Sequence, residues 1–256
     1  MDFKINSNIN TFGIVRNMNF DWSGLTKSII KLSSGLKINS ASDGPAILVI
    51  SEQLRSRIAS LNQEIENIDS QLYKYQYTSA TVSQLRSNLT ELRTLAIGAA
   101  NEGRNNEYSQ AAYQSSADYI VSNYNYVVET ADYNGSNILD GSENALASVS
   151  NLDNVDFSSA QTTEMSIEQI DQAIAEIDSV QIDIGARQAD RLVPEKSNLE
   201  VTKWNLIAAE SNLRDVDHFK EFIDMIIEMI RSKINIALAS HSNITSQSVI
   251  ELLSTQ

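Results

Sequence analysis

The longest pattern in the chain is a heptad. Leu54, Ile58, Leu61, Ile65, Ile68, Leu72, Tyr75, Ser79 and Val82 alternate spacings of four and three, and after one three-residue skip Leu85, Leu89, Leu92, Ala96 and Ala99 resume the rhythm. Ser79 is its one polar member. An apolar residue every 3.5 positions lays a continuous stripe along a helix, and a three-residue skip is a stammer that alters the winding. The pattern predicts a helix from about Pro45 to Ala100, on the order of 80 Å long at 1.5 Å per residue. A stripe of that length needs a partner. Ile167, Ile170, Ile174, Ile177 and Ile184 keep the same spacing, with polar Gln181 between the last two, and Leu192, Leu199, Leu206 and Leu213 follow every seven residues. Tyr108 to Val128 reads as a weaker third helix. The expected fold is mainly α: a long antiparallel bundle or coiled-coil rod whose first turn falls at Asn101 to Asn106, around Gly103.

Turn residues divide the rest. Asn134-Gly135 and Asp140-Gly141 are dipeptides that readily take the positive φ of a tight hairpin, so a small β-hairpin region is expected near 132–163, with Ser142 to Thr163 as either a short ribbon or a loop. Pro45 fits the first turn of the long helix, with Asp43 placed to cap it. Pro194 predicts a kink or break. Residues 1–40 and 215–256 hold helix-spaced but less regular apolar residues, among them Phe219, Ile223, Ile226, Ile230, Ile234 and Ala237. These ends read as a helix pair that closes on assembly, giving a division into a segment 1–44, a helical body 45–214 and a terminal helix 215–256.

Charge adds an address to this plan. The 256 residues carry 33 acidic and 19 basic side chains, a formal charge of -14, yet residues 105–186 contain no Lys or Arg and 14 acids. The remainder balances at 19 against 19, so the surplus lies wholly in the middle. Segregation of this kind points to ends that meet other chains and a middle that faces solvent. Five scattered cations in the first 40 residues form no stripe for nucleic acid. No apolar run is long enough for a membrane span or a signal-peptide core.

Reactive chemistry is sparse. Without cysteine there is no disulfide, thiolate ligand or thiol nucleophile. His218 beside Asp215 and Asp217 has a metal-site look, but neighbours one and three apart on a helix splay over different faces. The acids of 132–140 lack the glycine and terminal acid of a calcium loop. No phosphate loop, zinc-protease helix or nucleophile elbow occurs. No enzyme activity, cofactor or metal is expected.

Several segments resemble one family. Lys31-Leu-Ser-Ser-Gly-Leu-Lys-Ile-Asn-Ser40 with Ala41-Ser-Asp43 is similar to the N-terminal signature of bacterial flagellins, and Ile5-Asn6-Ser7-Asn8 to their opening. Tyr133-Asn-Gly-Ser-Asn-Ile-Leu-Asp-Gly141, Ile184-Gly-Ala186, Ala208-Ala-Glu-Ser-Asn-Leu-Arg-Asp-Val-Asp217 and Val249-Ile-Glu-Leu-Leu253 resemble further landmarks, in family order. The chain departs at Gly44-Pro45-Ala46-Ile47 and at Leu238 to Asn243, and Trp22 and Trp204 are unusual. About twenty residues follow Gly141 before the next helix, so the resemblance is to a minimal flagellin without variable outer domains. It implies a secreted structural subunit that polymerises with itself into the extracellular flagellar filament for swimming motility. Leu32, Leu36, Ile38, Ile226, Ile230 and Leu238 are the contacts this reading selects. Implied partners are the export apparatus and its chaperone and the hook-associated and cap proteins. Leu89-Thr-Glu-Leu-Arg-Thr-Leu-Ala-Ile-Gly98 resembles the segment recognised by the innate toll-like receptor for flagellin, with Leu89, Arg93 and Leu95 as its candidate residues. Glu91, Thr94 and Gly98 differ from the recognised pattern, and a charged helix face is the alternative. A hook–filament junction protein and a cytoplasmic coiled-coil binding module are the competing functional readings.

Overall fold

The computed structural model describes the backbone of residues 9–101, 106–142 and 145–254, and side-chain burial for 11–101, 106–142 and 145–241. The chain runs α1 (Ile9–Ser34), α2 (Pro45–Ala99), α3 (Glu107–Thr130), β1 (Asp132–Tyr133), β2 (Ser136–Asn137), α4 (Ala160–Ala186), a π-helical turn (Arg187–Leu192), α5 (Val193–Arg214) and α6 (His218–Ser254). It divides into two compact units, one of residues 61–202 and one of residues 1–60 with 203–256.

The 61–202 unit is built on the heptad stripe. Leu61, Ile65, Ile68, Val82, Leu85, Leu89, Leu92, Ala96 and Ala99 of α2 are buried, as are Ile170, Ile177 and Ile184 of α4. Lys196 Nζ of α5 meets Asp69 at 2.6 Å, and Arg86 Nε meets Asp178 and Arg93 Nε meets Asp171 of α4, each at 2.5 Å. The number on one partner rises as the other falls, which fixes α2 as antiparallel to the stretch running through α4 into α5. Both Arg–Asp pairs step seven residues on each helix, one heptad. Their side chains are about half exposed, so they specify register more than they add stability.

The two polar members of the stripes meet each other: Gln181 Nε2 donates to Ser79 Oγ at 2.9 Å. The stammer falls earlier than the sequence placed it. Thr78 is fully buried and Ser79 only partly, because the Thr78 hydroxyl donates to its own helix at Lys74 O (2.8 Å) and leaves a methyl for the seam.

Residues 131–157 close this core. Asn134 (φ 56°) and Gly135 (φ 77°) form the β1–β2 turn. Ile138 and Leu139 after it are fully buried. Asp140 and Ser148 then form an isolated antiparallel bridge. From there to α4 the segment is a loop, and side chains of α3 take the place of a partner strand. Asn125 accepts from Leu152 N–H and donates to Leu152 O, both at 2.8 Å. Gln114 accepts from Phe157 N–H at 2.7 Å and donates to Val155 O, while Gln110 donates to Phe157 O. These bonds satisfy backbone groups that no ladder reaches. Buried Tyr124 donates to Ser150 O at 3.4 Å, and burial, with the Glu176 charge adding, holds its hydroxyl above the ordinary tyrosine range.

Helix boundaries follow local chemistry. Asn106 caps α3 in a capping box with Ser109, and Ser159 caps α4 with Thr162, so α4 starts at Ala160, several residues before the isoleucine stripe. Residues 102–105 of the expected first turn, Gly103 included, lie outside the described residues. Pro194 does not break the helical run. The chain passes through the π turn, where Val193 N–H bonds Gln188 O, and the wider turn makes room for a ring that would clash with the carbonyl four residues back. Asp43 does not cap α2; its carboxylate turns backward to accept from Asn39 N–H, Ser40 N–H and Ser40 Oγ, which holds it below the ordinary carboxylate range.

Candidate assembly surface

The other unit contains α1, the chain reversal after it, the start of α2, the end of α5, and α6. Gly35 (φ 72°) ends α1 in the left-handed conformation that glycine adopts without strain. Lys37 N–H then bonds Arg214 O at 2.6 Å, Val216 N–H bonds Gly35 O at 3.0 Å, and Leu36 and Asp215 form a β-bridge. The segments 31–40 and 208–217, far apart in the chain, are therefore strapped together. Buried Arg214 reaches Glu52 at 3.0 Å and Ser51 at 3.5 Å. Asp217 accepts from Lys220 N–H at 3.1 Å, capping α6, and Asp215 accepts from Ser211 Oγ, so both acids beside His218 serve chain geometry.

The helices α1 and α6 pack against each other antiparallel within one chain, and their shared seam is polar. Asn235 Nδ2 donates to Asp21 Oδ2 at 2.6 Å, Ser28 Oγ donates to Glu221 Oε1 at 2.8 Å, and Lys31 Nζ meets Glu221 at 3.2 Å. Asp21, Ser28, Glu221 and Ser232 are buried. Gly24 leaves room for Glu228, whose carboxylate occupies the space a Cβ would need. Most of the large apolar residues face away from the seam, while Ile14, Met18, Leu25, Leu32 and Met225 are half-buried at positions that continue its heptad. Phe12, Phe20, Trp22 and Ile29 of α1 and Phe219, Ile223, Ile230, Ile234, Ile236 and Leu238 of α6 are all exposed. Monomeric proteins rarely leave contiguous apolar faces of this extent in water. A pair joined by a few polar contacts, with its isoleucines outward, gains most of its hydrophobic stabilisation only when another surface covers them.

The selected residues separate on this surface. Ile226, Ile230 and Leu238 lie on the outward face of α6. Leu32 and Leu36 are half-buried at the end of α1 and the strap. Ile38 is 3% exposed inside its own chain, its side chain lying against Gly44, because the reversal after Gly35 folds it inward. In the other unit Leu89 is likewise fully buried in the seam, Leu95 packs against the core, and Arg93 is paired with Asp171. Sequence reasoning missed the polar seam residues Asp21, Ser28, Glu221, Ser232 and Asn235. The signal was their recurrence at roughly heptad spacing: Asp21 and Ser28 on α1, Glu221 and Glu228 on α6.

One group makes the seam responsive to pH. The Glu228 carboxyl is raised above its ordinary 4.5, first by burial, with the charges of Glu221, Asp224 and Asp21 adding and the Ser28 hydrogen bond opposing. Lys27, Lys31 and Arg231 border the same groove. A carboxyl raised in the folded state contributes stability that is complete below its unfolded pKa and is lost as pH rises through the folded one. Hydrogen-exchange protection of α1 and α6 in the monomer, corrected for intrinsic rates, should therefore be greater near pH 5 than near pH 8, and Glu228→Gln should flatten the difference. Equal protection at both pH values in the native chain would refute this role for Glu228.

Among the described residues no group of three or more histidines and acids is placed to hold a metal, and no helix is long and apolar enough to cross a membrane. Comparison with known proteins agrees with the order of the landmarks. Residues 5–144 match the bacterial flagellin N-terminal helical region and residues 167–253 the bacterial flagellin C-terminal helical region. The chain is 30% identical to a flagellin of Halalkalibacterium halodurans, with 97% of this chain and 99% of the relative aligned. It is 28% identical to a flagellin of Treponema pallidum (97% and 99% aligned) and 26% identical to a flagellin of Bacillus subtilis (98% and 99% aligned).

Proposed function

The chain belongs to the bacterial flagellin family and is a structural subunit of the flagellar filament, and from that premise we propose that it polymerises through the outward apolar faces of α1 and α6. The observation that carries this reading is the character of the helix pair, polar at its fully buried positions and with most of its large apolar residues exposed. In this reading residues 1–44 and 215–256 are the polymerising segments, 45–214 is the body, and further copies supply the surface that Ile226, Ile230 and Leu238 lack. The comparisons favour the filament subunit over the junction protein and the coiled-coil module.

The subunit leaves the cell through the flagellar export apparatus with the help of a chaperone and meets hook-associated and cap proteins at the filament ends. Receptor recognition through residues 89–98 is confined to Arg93 and its exposed neighbours, since Leu89 is buried, and it requires release of Arg93 from Asp171.

The acidic block sets the test. The fourteen acids of residues 105–186, of which Asp171 and Asp178 are paired with Arg93 and Arg86, give the block a net negative charge that repels its copies on neighbouring subunits, and salt screens such repulsion beyond about 8 Å at physiological ionic strength. Apolar contacts do not weaken in salt. The fraction of purified chain pelleting as filaments should rise from about 0.02 M to about 0.2 M NaCl, a range over which the screening length falls roughly threefold. Assembly that weakens over this range would mean that ion pairs, not apolar faces, join the subunits.

A further inference from the structure

The outer face of α3 carries aromatic rings that the fold does not use. Tyr108, Tyr119 and Tyr126 are 87, 75 and 65% exposed. Their spacings of eleven and seven residues are close to three and two helical turns, so the three project from one stripe about 27 Å long. The exposed positions among them are small, namely Ala111, Ala112, Ser115 and Ser122. No cation of their own helix stands beside the rings, since α3 contains neither Lys nor Arg. On the opposite side of the same helix Tyr124 is buried. A second row runs beside the first: Glu107, Asp118 and Glu129 are exposed and recur at intervals of eleven.

Isolated exposed tyrosines are ordinary, and an acidic helix face is usually just solvated. Two aligned rows are a more particular arrangement. A second copy presenting the same face would set Glu107, Asp118 and Glu129 against their own equivalents. An arginine-bearing segment does the reverse. Its guanidinium planes stack on tyrosine rings while their charge meets the adjacent carboxylates, a combination that lysine, compact and strongly hydrated, satisfies less well. We propose that the Tyr108, Tyr119 and Tyr126 stripe, with Glu107, Asp118 and Glu129 beside it, is a docking surface for an arginine-rich segment of a different protein. The proposal concerns α3 alone and does not depend on how α1 and α6 assemble.

The test uses the full-length monomer and two fluorescent synthetic peptides of equal length and charge, one rich in arginine and one in lysine. Anisotropy titration should show the arginine peptide binding several-fold more tightly. The charge-neutral triple variant Y108S/Y119S/Y126S should lose between about tenfold and about a hundredfold in affinity for it, three exposed cation–π contacts being removed. Tyr73→Ser, on α2, should change nothing, and E107Q/D118N/E129Q should reduce the salt dependence. The three tyrosines are solvent-facing, so an unchanged thermal melt serves as the folding control for their variant; Asp118 accepts from Gln114 and Glu129 from Asn151, so the acid variant is titrated well below its own melting transition. Equal affinity for both peptides, or a triple tyrosine variant that binds like the native chain, would reduce the effect to diffuse charge attraction and overturn the proposal. Loss of self-association in the triple variant with no peptide present would assign the stripe to contacts between copies and overturn it equally.

Discussion

A chain carrying Ile226→Ser and Ile230→Ser together should remain a folded monomer and fail to form filaments at concentrations where the native chain assembles. The two residues sit one helical turn apart on α6, and are 38% and 52% exposed in the single chain, so their loss uncovers little inside it. In the proposed filament contact every subunit buries both. Full burial of an isoleucine contributes about 1.5–3 kcal/mol, and with roughly half of each side chain still to be covered the pair contributes about 1.5–3 kcal/mol per subunit. That shift raises the concentration needed for assembly by roughly 10-fold to 150-fold, before the desolvation of two hydroxyls is counted. Sedimentation and electron microscopy measure it directly. Ile38→Ala provides the contrast: it should lower the melting temperature of the monomer, because Ile38 is buried in its own chain. A double serine variant that assembles at the native concentration would exclude the outward face of α6 as the contact.

Phe157→Ala should have the larger effect on the fold itself. Phe157 is fully buried in the core between α2, α3 and α4, although it belongs to a loop. Truncating a buried phenylalanine costs about 3–5 kcal/mol, part of it from the cavity left behind. For a domain of this size that corresponds to a melting transition lowered by roughly 10 °C. The Gln110 and Gln114 bonds bear on how the damage spreads. They hold the backbone of 155–157 independently of the ring, so the loop should stay in place and the cavity should not collapse. Calorimetry of the variant checks the magnitude. A shift of only 1–2 °C would mean that the loop closes over the vacancy and that the amide contacts do not fix it.

Much of the helical body is legible in the sequence because its determinants are local or strictly periodic. The 4,3 spacing from Leu54 to Ala99 predicts α2 to within a residue of Pro45–Ala99, since a stripe that regular has no other use. Asn134-Gly135 predicts a turn that needs two positive φ values, and the chain makes it there. The exceptions to the pattern were informative in pairs. Ser79 and Gln181 each look like a flaw in an apolar stripe, and only their meeting at 2.9 Å explains both. The loop after Asp140 was less readable. What holds it are amides on α3, and an exposed Gln and an amide reserved for a distant backbone look the same in a sequence.

The ends of the chain divide the two kinds of information most sharply. By itself the sequence determined that residues 9–34 and 218–254 are apolar, helix-spaced and charge-balanced against an acidic middle, because composition and period depend on nothing beyond the chain. It could not say which line of residues on each helix turns toward the other. Apolar residues cover several faces of α6, from Phe219 and Phe222 round to Ile227, Ile230 and Ile236, and a helix with no single apolar stripe has no unique partner face. Tertiary structure made the choice. Gly24, Ser28 and Ser232 are small enough for close approach, and Asp21, Glu221 and Asn235 find hydrogen-bond partners only between the helices. The polar line therefore turns inward and most of the large apolar residues are left exposed.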